Sequence, residues 1–518
     1  MRYVMLAAFA LLVVGYCANL VNQANLLQFR AEEATMQHGA VPSDMQKHAA
    51  QHRMAEPTFD DQVRAQALRA HHGAPTPAPT TQPWSDDEFH FVFSSTCSGY
   101  QHWQSQVLAD SFVRVNQHGR LTRIVCGCST EQEEQVRNHV AQHAPHMRVH
   151  FTRNFNEQPV DYIEKDSYSP YNKPFGLRDW IKHAHPPVTE KMIVFVDPDF
   201  LFNRRFVLNH GTRVIRDTDV ESHKTSHEPY LIYSGARNLS DVSDLVSDGI
   251  AVAQRWSGYL GSSGFGDKEN SNFKVCPECS HVDGEYAEEY LSTGPPYVLT
   301  RHDVEAFVDA YCNMTVAKRS HHRDDWMAEM YGYVLGIVKN NIRHTMFDNL
   351  ALAPKGDEYW GFVDYMTENP CSADPEPLRM TETPLMMHGC LSYTGIDHLG
   401  EEWRYYKQLV PEDLFACDSW MLAQPPPSVW ENALNTSDPE KRREQKMHAF
   451  GLCQWIKSVN LALGDFKSKA CRNGFNTNKK LKLKSDRPAS HLNVQPEDAD
   501  WRVNNTHPFS DSPLGKIW

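Results

Sequence analysis

The 518-residue chain lacks the signatures of several common enzyme chemistries. No Gly-x-Gly-x-x-Gly follows a strand pattern, and there is no phosphate-binding P-loop, no Gly-x-Ser-x-Gly and no His-Glu-x-x-His. Dinucleotide redox, P-loop nucleotide hydrolysis, serine hydrolysis at a nucleophile elbow and zinc proteolysis therefore have no local support. Positive charge is also short: 51 Lys plus Arg against 65 Asp plus Glu gives a net charge of −14, which offers no global attraction to a polyphosphate backbone. Nucleic acid is excluded as the expected partner. No internal repeat is found, and charged residues make up only 22% of a chain that is 41% hydrophobic, so the sequence can bury a core and is not a collagen or a coiled coil.

Long apolar runs are scarce, and the clearest is at the start. Met1-Arg2 precedes a stretch from Tyr3 to Val21, with no charge until Arg30. At about 1.5 Å per residue it is just long enough to cross a bilayer core of roughly 30 Å. It reads as a signal anchor; a cleaved signal peptide is the alternative, but cleavage after Ala18 would place bulky Tyr16 where a small residue is wanted. Arg2 on the short side favours a cytosolic N-terminus, which would put the remainder in a secretory lumen. Sequons at Asn238, Asn313, Asn435 and Asn504 agree with that compartment. So do the dispersed cysteines: of 12, one is Cys17 in the apolar stretch, and the odd remainder requires at least one unpaired or intermolecular thiol.

Residues 22–86 are rich in Gln, His, Ala and Pro and poor in large apolar side chains, the composition of a disordered stem. Patterned sequence begins at Phe89-His90-Phe91-Val92-Phe93. Expected strands at Leu121 to Cys126, Met147 to Thr152 and Met192 to Val196 alternate with expected helices from Trp103 to Val115, Glu131 to His143 and Lys173 to His183. This alternation predicts an α/β fold with a mostly parallel sheet flanked by helices, in which ligands bind at the carboxyl ends of strands. Farther on, a strand from Tyr297 to Thr300, helices from Asp303 to Tyr311 and Asp325 to Lys339, and strands from His344 to Leu352 and Leu385 to His388 are expected. After Pro427 the chain carries 15 Lys plus Arg against 10 Asp plus Glu, and it reads as a basic extension over 428–518 appended to a catalytic domain at 87–427.

The sharpest local chemistry is Val196-Asp197-Pro198-Asp199. An apolar strand ends, and two carboxylates follow with a proline fixing the turn between them. Such oxygen ligands suit Mg²⁺ or Mn²⁺, and His388, which closes another apolar strand, offers a third ligand. A solvated acidic turn and a structural histidine are the plainer readings. Lys173 sits where a turn runs into a helix and can meet phosphate or sugar oxygens. At helical spacing Asp325 and Glu329 share a face at i and i+4, and could orient an acceptor or stabilise a developing cation; a charge cluster over core aromatics is the alternative. Cys276-Pro277-Glu278-Cys279 could be a redox pair, but structural disulfide bonding is favoured, since the second half of a zinc motif is absent.

Taken in order, Cys97-Ser98-Gly99-Tyr100-Gln101-His102-Trp103-Gln104, Tyr171-Asn172-Lys173-Pro174, Asp197-Pro198-Asp199, Glu329-Met330-Tyr331-Gly332-Tyr333, Met386-Met387-His388-Gly389, Trp403-Arg404-Tyr405 and Pro425-Pro426-Pro427 resemble the motifs of plant and green-algal peptidyl serine α-galactosyltransferases and the related hydroxyproline O-arabinosyltransferases. The resemblance covers Phe89 to Pro427 and is nearer the galactosyltransferases. It implies a GT-A-like fold and a single-pass type II Golgi membrane enzyme. It also implies retaining transfer from a UDP-sugar to serine or hydroxyproline in extensin-like glycoproteins. On that resemblance Asp197, Asp199 and His388 are expected to hold Mn²⁺ or Mg²⁺, Thr96, Asn172, Lys173 and Asp197 to face the donor, and Glu329 with Asp325 to stand at the reaction centre. Pro198 replaces the small residue usual in the galactosyltransferases, which leaves the donor sugar open between galactose and arabinofuranose. An inactive glycan- or protein-binding relative is the reading of another class.

Overall fold

The computed structural model describes residues 88–160, 163–208, 212–220, 230–242, 245–256, 260–267, 271–354, 359–378, 383–475 and 478–483. The expected signal anchor and stem lie outside the described residues; among these, no helix is long and apolar enough to cross a membrane.

The first half is built as its pattern predicts. Strand β1 (Phe89–Thr96) leads into helix α1 (Gly99–Arg114), then β2 (Arg120–Cys126), α2 (Thr130–His143), β3 (Met147–Thr152), α3 (Asn172–His183) and β4 (Met192–Phe195). Local chemistry sets the boundaries. α2 starts in a capping box, the Ser129 hydroxyl accepting from the Gln132 N–H while the Gln132 side chain accepts from the Ser129 N–H. The second half adds β5 (Phe200–Phe202), β6 (Ile250–Arg255), β7 (Thr293–Thr300), α4 (Arg301–His321), α5 (Ala328–Lys339), β8 (Arg343–Phe347), β9 (Ala351–Leu352) and β10 (Met386–His388). A hairpin of β11 (Tyr393–Ile396) and β12 (Glu402–Tyr405) follows, then α6 (Ser428–Leu434) and α7 (Pro439–Ala470).

Seven strands form the main sheet in the order β8-β6-β7-β4-β1-β2-β3. Only β7 runs against its neighbours, pairing antiparallel with both β4 and β6. Because strand side chains alternate between faces, each strand feeds two cores. Phe91, Phe93, Leu121, Val194, Val252 and Val298 enter one core with α1 and α7, whereas Val92, Ile124, Ile193, Ala253 and Leu299 enter the other with α3, α4 and α5. Both faces are thus covered, as a largely parallel sheet requires. A second, three-stranded sheet has the order β9-β10-β5, with β10 antiparallel to β5.

Three expectations are corrected. The strand expected from His344 to Leu352 is two strands in different sheets, β8 and β9, separated by Asp348, Asn349 and Leu350. The helix expected to begin at Asp325 begins at Ala328, because the Asp325 carboxylate accepts the Met327 N–H at 2.9 Å and holds a turn there. The boundary expected at residue 427 is not seen either. Helices α6 and α7 contribute Val429, Trp430, Phe450, Trp455, Ile456, Val459 and Leu463 to the first core, and disulfides Cys371–Cys453 and Cys417–Cys471 tie α7 to the preceding chain. Part of the basic charge of this segment is buried. The amine of Lys467 donates to the carbonyl of Ser419 at 2.8 Å and to its hydroxyl at 2.6 Å, and Lys457 reaches Ser372 and Glu376.

Candidate functional site

The strand β4 ends under the loop that carries Asp197-Pro198-Asp199. The Val196 N–H still donates to the Val92 carbonyl, continuing the ladder to β1, and the Phe200 N–H donates back to the Asp197 carbonyl at 3.2 Å, so the acidic turn is clamped on both sides. Antiparallel pairing of β5 with β10 then places His388 directly opposite Phe200. Their rings stack at 4.3 Å. The Gly389 N–H donates to the Asp199 carbonyl at 2.8 Å, and a Cβ on Gly389 would stand 3.1 Å from the Trp455 ring and 3.3 Å from the Asp199 carbonyl oxygen. A side chain here would press on both, and α7, through Trp455, forms the wall behind it.

As a result one ligand atom each from Asp197, Asp199 and His388 lies within 4.8 Å of the others. Asp199 and His388 are buried, with the His388 Nε2 3.5 Å from an Asp199 oxygen. Two hard carboxylate oxygens and an imidazole nitrogen make a donor set that fits Mn²⁺ or Mg²⁺. Each carboxylate also has a lysine. The Lys173 amine is 2.9 Å from Asp197 and 3.4 Å from Glu329; the Lys407 amine is 2.5 Å from the same Asp199 oxygen that faces His388.

These contacts set the charge states. Burial works to raise the Asp199 pKa, but Lys407 and His388 outweigh it and hold the carboxyl well below its usual range. Burial opposes charge on His388, yet Cys390 and Asp199 push it up to about 10. Burial likewise opposes the charge on Lys173 and Lys407, and the neighbouring carboxylates raise both above the ordinary lysine value. Glu329 is raised, first by burial and also by Asp197, although Lys173 and the Tyr311 hydroxyl pull the other way. It sits in the first turn of α5, where its N–H donates to the Tyr168 hydroxyl at 3.1 Å and its carboxylate accepts from the Tyr311 hydroxyl.

The structure therefore brings Asp197, Asp199, His388, Lys173 and Glu329 together. Three expected residues have other work. The Asp325 carboxylate is committed to its turn and to Lys318, at 3.7 Å, because the helix face it was to share with Glu329 starts after it. The Asn172 side chain is engaged by a neighbouring loop: its amide donates to Asn154 and Asn156 and its oxygen accepts the Phe155 N–H at 2.7 Å, bracing that loop. The Thr96 hydroxyl closes the turn into α1, 2.9 Å from the Ser98 hydroxyl and 3.1 Å from the Gln101 side-chain oxygen Oε1. Two residues were missed. Lys407 follows the quoted Trp403-Arg404-Tyr405 by two positions, and its cationic end is the signal that a strand-end reading could have used. Trp256, whose ring meets His388 edge-on at 5.4 Å, has no sequence signal beyond its type. Cys276 and Cys279 are bridged to each other and both are fully buried, out of reach of a thiol-exchange partner.

No family model matches the chain. It is, however, a distant homologue of two curated proteins. It is 23% identical over 356 residues to the peptidyl serine alpha-galactosyltransferase of Arabidopsis thaliana, covering 68% of this chain and 36% of that one. It is 24% identical over 348 residues to the peptidyl serine alpha-galactosyltransferase of Chlamydomonas reinhardtii, covering 65% and 38%. The matched region thus spans little more than a third of the length of either relative. Among solved structures, the galactosyltransferase LgtC in complex with donor and acceptor sugar analogues is 12% identical, with a TM-score of 0.28, covering 58% of this chain and 87% of that one. The apo form of the glycosyltransferase GlyE of Streptococcus pneumoniae is 12% identical, with a TM-score of 0.26, covering 58% and 53%.

Proposed function

We propose that the chain is a metal-dependent glycosyltransferase of the secretory pathway, with a GT-A-like catalytic fold, that transfers a sugar from a UDP-sugar to serine in hydroxyproline-rich, extensin-like glycoproteins. Galactose is the favoured donor sugar and retention of anomeric configuration the favoured course. The reading includes a single-pass type II anchor in the Golgi membrane. The observation that carries it is the convergence of Asp197, Asp199 and His388 at the carboxyl end of β4, in a chain distantly homologous to peptidyl serine alpha-galactosyltransferases.

In this reading Asp197, Asp199 and His388 hold Mn²⁺ or Mg²⁺. When bound, the ion supplies positive charge to the diphosphate as it leaves. Lys173 stands beside Asp197, its amine also near Glu329, whose carboxylate accepts from the Tyr311 hydroxyl. Burial of these groups strengthens each charge interaction relative to water. The Trp326 side chain, 67% exposed, leans on Tyr168 near the N-terminus of α5 and gives an acceptor peptide or sugar an aromatic surface.

The test is a panel of UDP-galactose, UDP-arabinofuranose and other UDP-sugars with Mn²⁺, offered with serine-rich and hydroxyproline-rich peptides to the full chain. Galactose on serine with retained configuration is expected. Arabinose on hydroxyproline would move the assignment to the related family. Absence of both transfer and UDP-sugar hydrolysis would defeat the enzymatic reading in favour of an inactive binding relative.

A further inference from the structure

The cation site carries its own counter-charges, and their placement has a consequence for how ligands enter it. The Lys407 amine touches the Asp199 oxygen that also faces His388 Nε2, so an ion held between Asp199 and His388 would stand against that amine. On the other side Lys173 makes the matching contact with Asp197. The two pairs are neutral as they stand. Adding a divalent cation alone brings uncompensated positive charge into a setting where little water screens it. Adding a diphosphate alone leaves its charge facing two carboxylates. Adding both lets every group keep an opposite charge. Neither lysine is locked, since their side chains are 21% and 22% exposed and each ends a flexible four-carbon stem.

We propose that Lys407 and Lys173 are exchange partners: each neutralises one ligand carboxylate in the cation-free protein and passes to the nucleotide diphosphate when the cation takes Asp197 and Asp199. Cation and nucleotide therefore bind with positive coupling, and either alone binds weakly. The diphosphate half rests on the glycosyltransferase reading above; the competition between lysine and cation does not.

The measurement is Mn²⁺ binding to the full chain, followed by the electron paramagnetic resonance signal of the free ion, with and without UDP. In the wild-type chain UDP is expected to tighten Mn²⁺ binding by about tenfold or more, within the range of ordinary coupling between sites. Lys407→Gln is expected to tighten Mn²⁺ binding about tenfold in the absence of UDP and to shrink the effect of UDP. Lys173→Gln should act in the same direction, and Lys407→Arg, which keeps the charge, should stay near wild type. Circular dichroism of each variant checks that it is folded, and Lys173→Gln carries the test if Lys407→Gln is not. Unchanged or weaker Mn²⁺ binding in the folded glutamine variants without UDP overturns the proposal, as does an Lys407→Arg variant that tightens binding as the glutamine does. If UDP does not bind at any Mn²⁺ concentration, the glycosyltransferase reading fails, while the arm without UDP still decides the role of the lysines.

Discussion

Two clusters in this protein have the same composition. Asp197, Asp199 and His388 form one; Asp248, His302 and Asp303 form another, also with ligand atoms within 4.8 Å of one another. They lie at opposite edges of the sheet. The first follows the carboxyl end of β4, whereas the second surrounds Thr300, the end of antiparallel β7, which pairs with Met192 at the start of β4. Their partners differ as well. In the first, lysines occupy the carboxylates. In the second, the backbone and a cap do: an Asp303 oxygen accepts the Gly249 N–H at 2.8 Å, an Asp248 oxygen accepts the Thr300 hydroxyl at 2.6 Å, and the His302 side chain is 73% exposed. The second also sits at the N-terminus of α4, where the helix dipole favours anions and disfavours a cation. Residue type and proximity thus do not tell the two clusters apart. What separates them is burial at the strand ends and carboxylates partnered by lysine side chains instead of a backbone N–H and a cap hydroxyl.

The largest effect expected is on this contrast itself. Asp199→Ala should lower UDP-sugar turnover at least about a hundredfold and remove detectable Mn²⁺ binding, while Asp248→Ala should leave both within about twofold, as a change confined to a surface cluster would. Asp199→Ala also strips Lys407 and His388 of their anion, and the loss of one partner from a buried pair costs about 3–5 kcal/mol in a urea melt; Asp199→Asn is the milder companion. Equal losses on substituting either cluster would erase the distinction between them. A smaller effect is expected at the wall of the first cluster. Gly389→Ala presses a methyl group against Trp455 and the Asp199 carbonyl, so about 1–3 kcal/mol of stability should be lost, as in other overpacked cores, with turnover falling because Asp199 is displaced.

That wall marks the limit of what the sequence reveals. The first half was legible because its signals are local: the run Met147–Thr152 is a strand at its expected limits, and the Ser129 and Gln132 pair fixes the start of α2 where the charged helix was expected. Asp197 and Asp199 could be read for the same reason, since a strand, a proline and two acids are adjacent in the chain. Asn172 and Thr96 are expected to face the donor, but polar side chains near strand ends can serve either a ligand or a neighbouring turn: Thr96 is held by Ser98 and Gln101 of the adjoining turn, and Asn172 by Asn154 and Asn156 of a separate loop. The helix α7 was misjudged because Lys446, Lys457 and Lys467 look like solvent residues, yet their stems are buried and their amines find acceptors or an aromatic face. Lys407 is 208 residues from Asp199, and only the folded chain makes it a neighbour.

The acid side of the stability curve offers a third test, because the clusters should have opposite signs. With chelator present, Asp199 has a folded pKa depressed below the unfolded value, so its contribution is full above the usual Asp value near 3.8 and is lost as pH falls below it. Asp303 is raised, first by burial and also by Asp248, against the Gly249 N–H. The native state then holds its proton more tightly than the unfolded chain, so stability falls as pH rises from 3.8 through the folded value. Urea melts between pH 3 and 6 should show Asp303→Asn removing a decline with rising pH, and Asp199→Asn removing a decline with falling pH. Curves that change in the same direction would mean that the two clusters share one electrostatic environment after all.

The smallest effect belongs to the cap. The Thr300 hydroxyl accepts the Asp303 N–H at 3.1 Å and donates to Asp248, so it both starts α4 and draws the second cluster together. Thr300→Ala should cost about 1 kcal/mol, the usual loss for an N-cap, and Thr300→Ser should recover most of it because the oxygen is retained. Neither variant should alter Mn²⁺ binding or turnover, since the sheet lies between Thr300 and Asp199. Chemical denaturation alongside a Mn²⁺ titration decides the matter. A loss of stability without a loss of binding is what a pure cap produces, whereas weakened Mn²⁺ binding in a folded Thr300→Ala protein would show that the far edge of the sheet takes part in holding the cation.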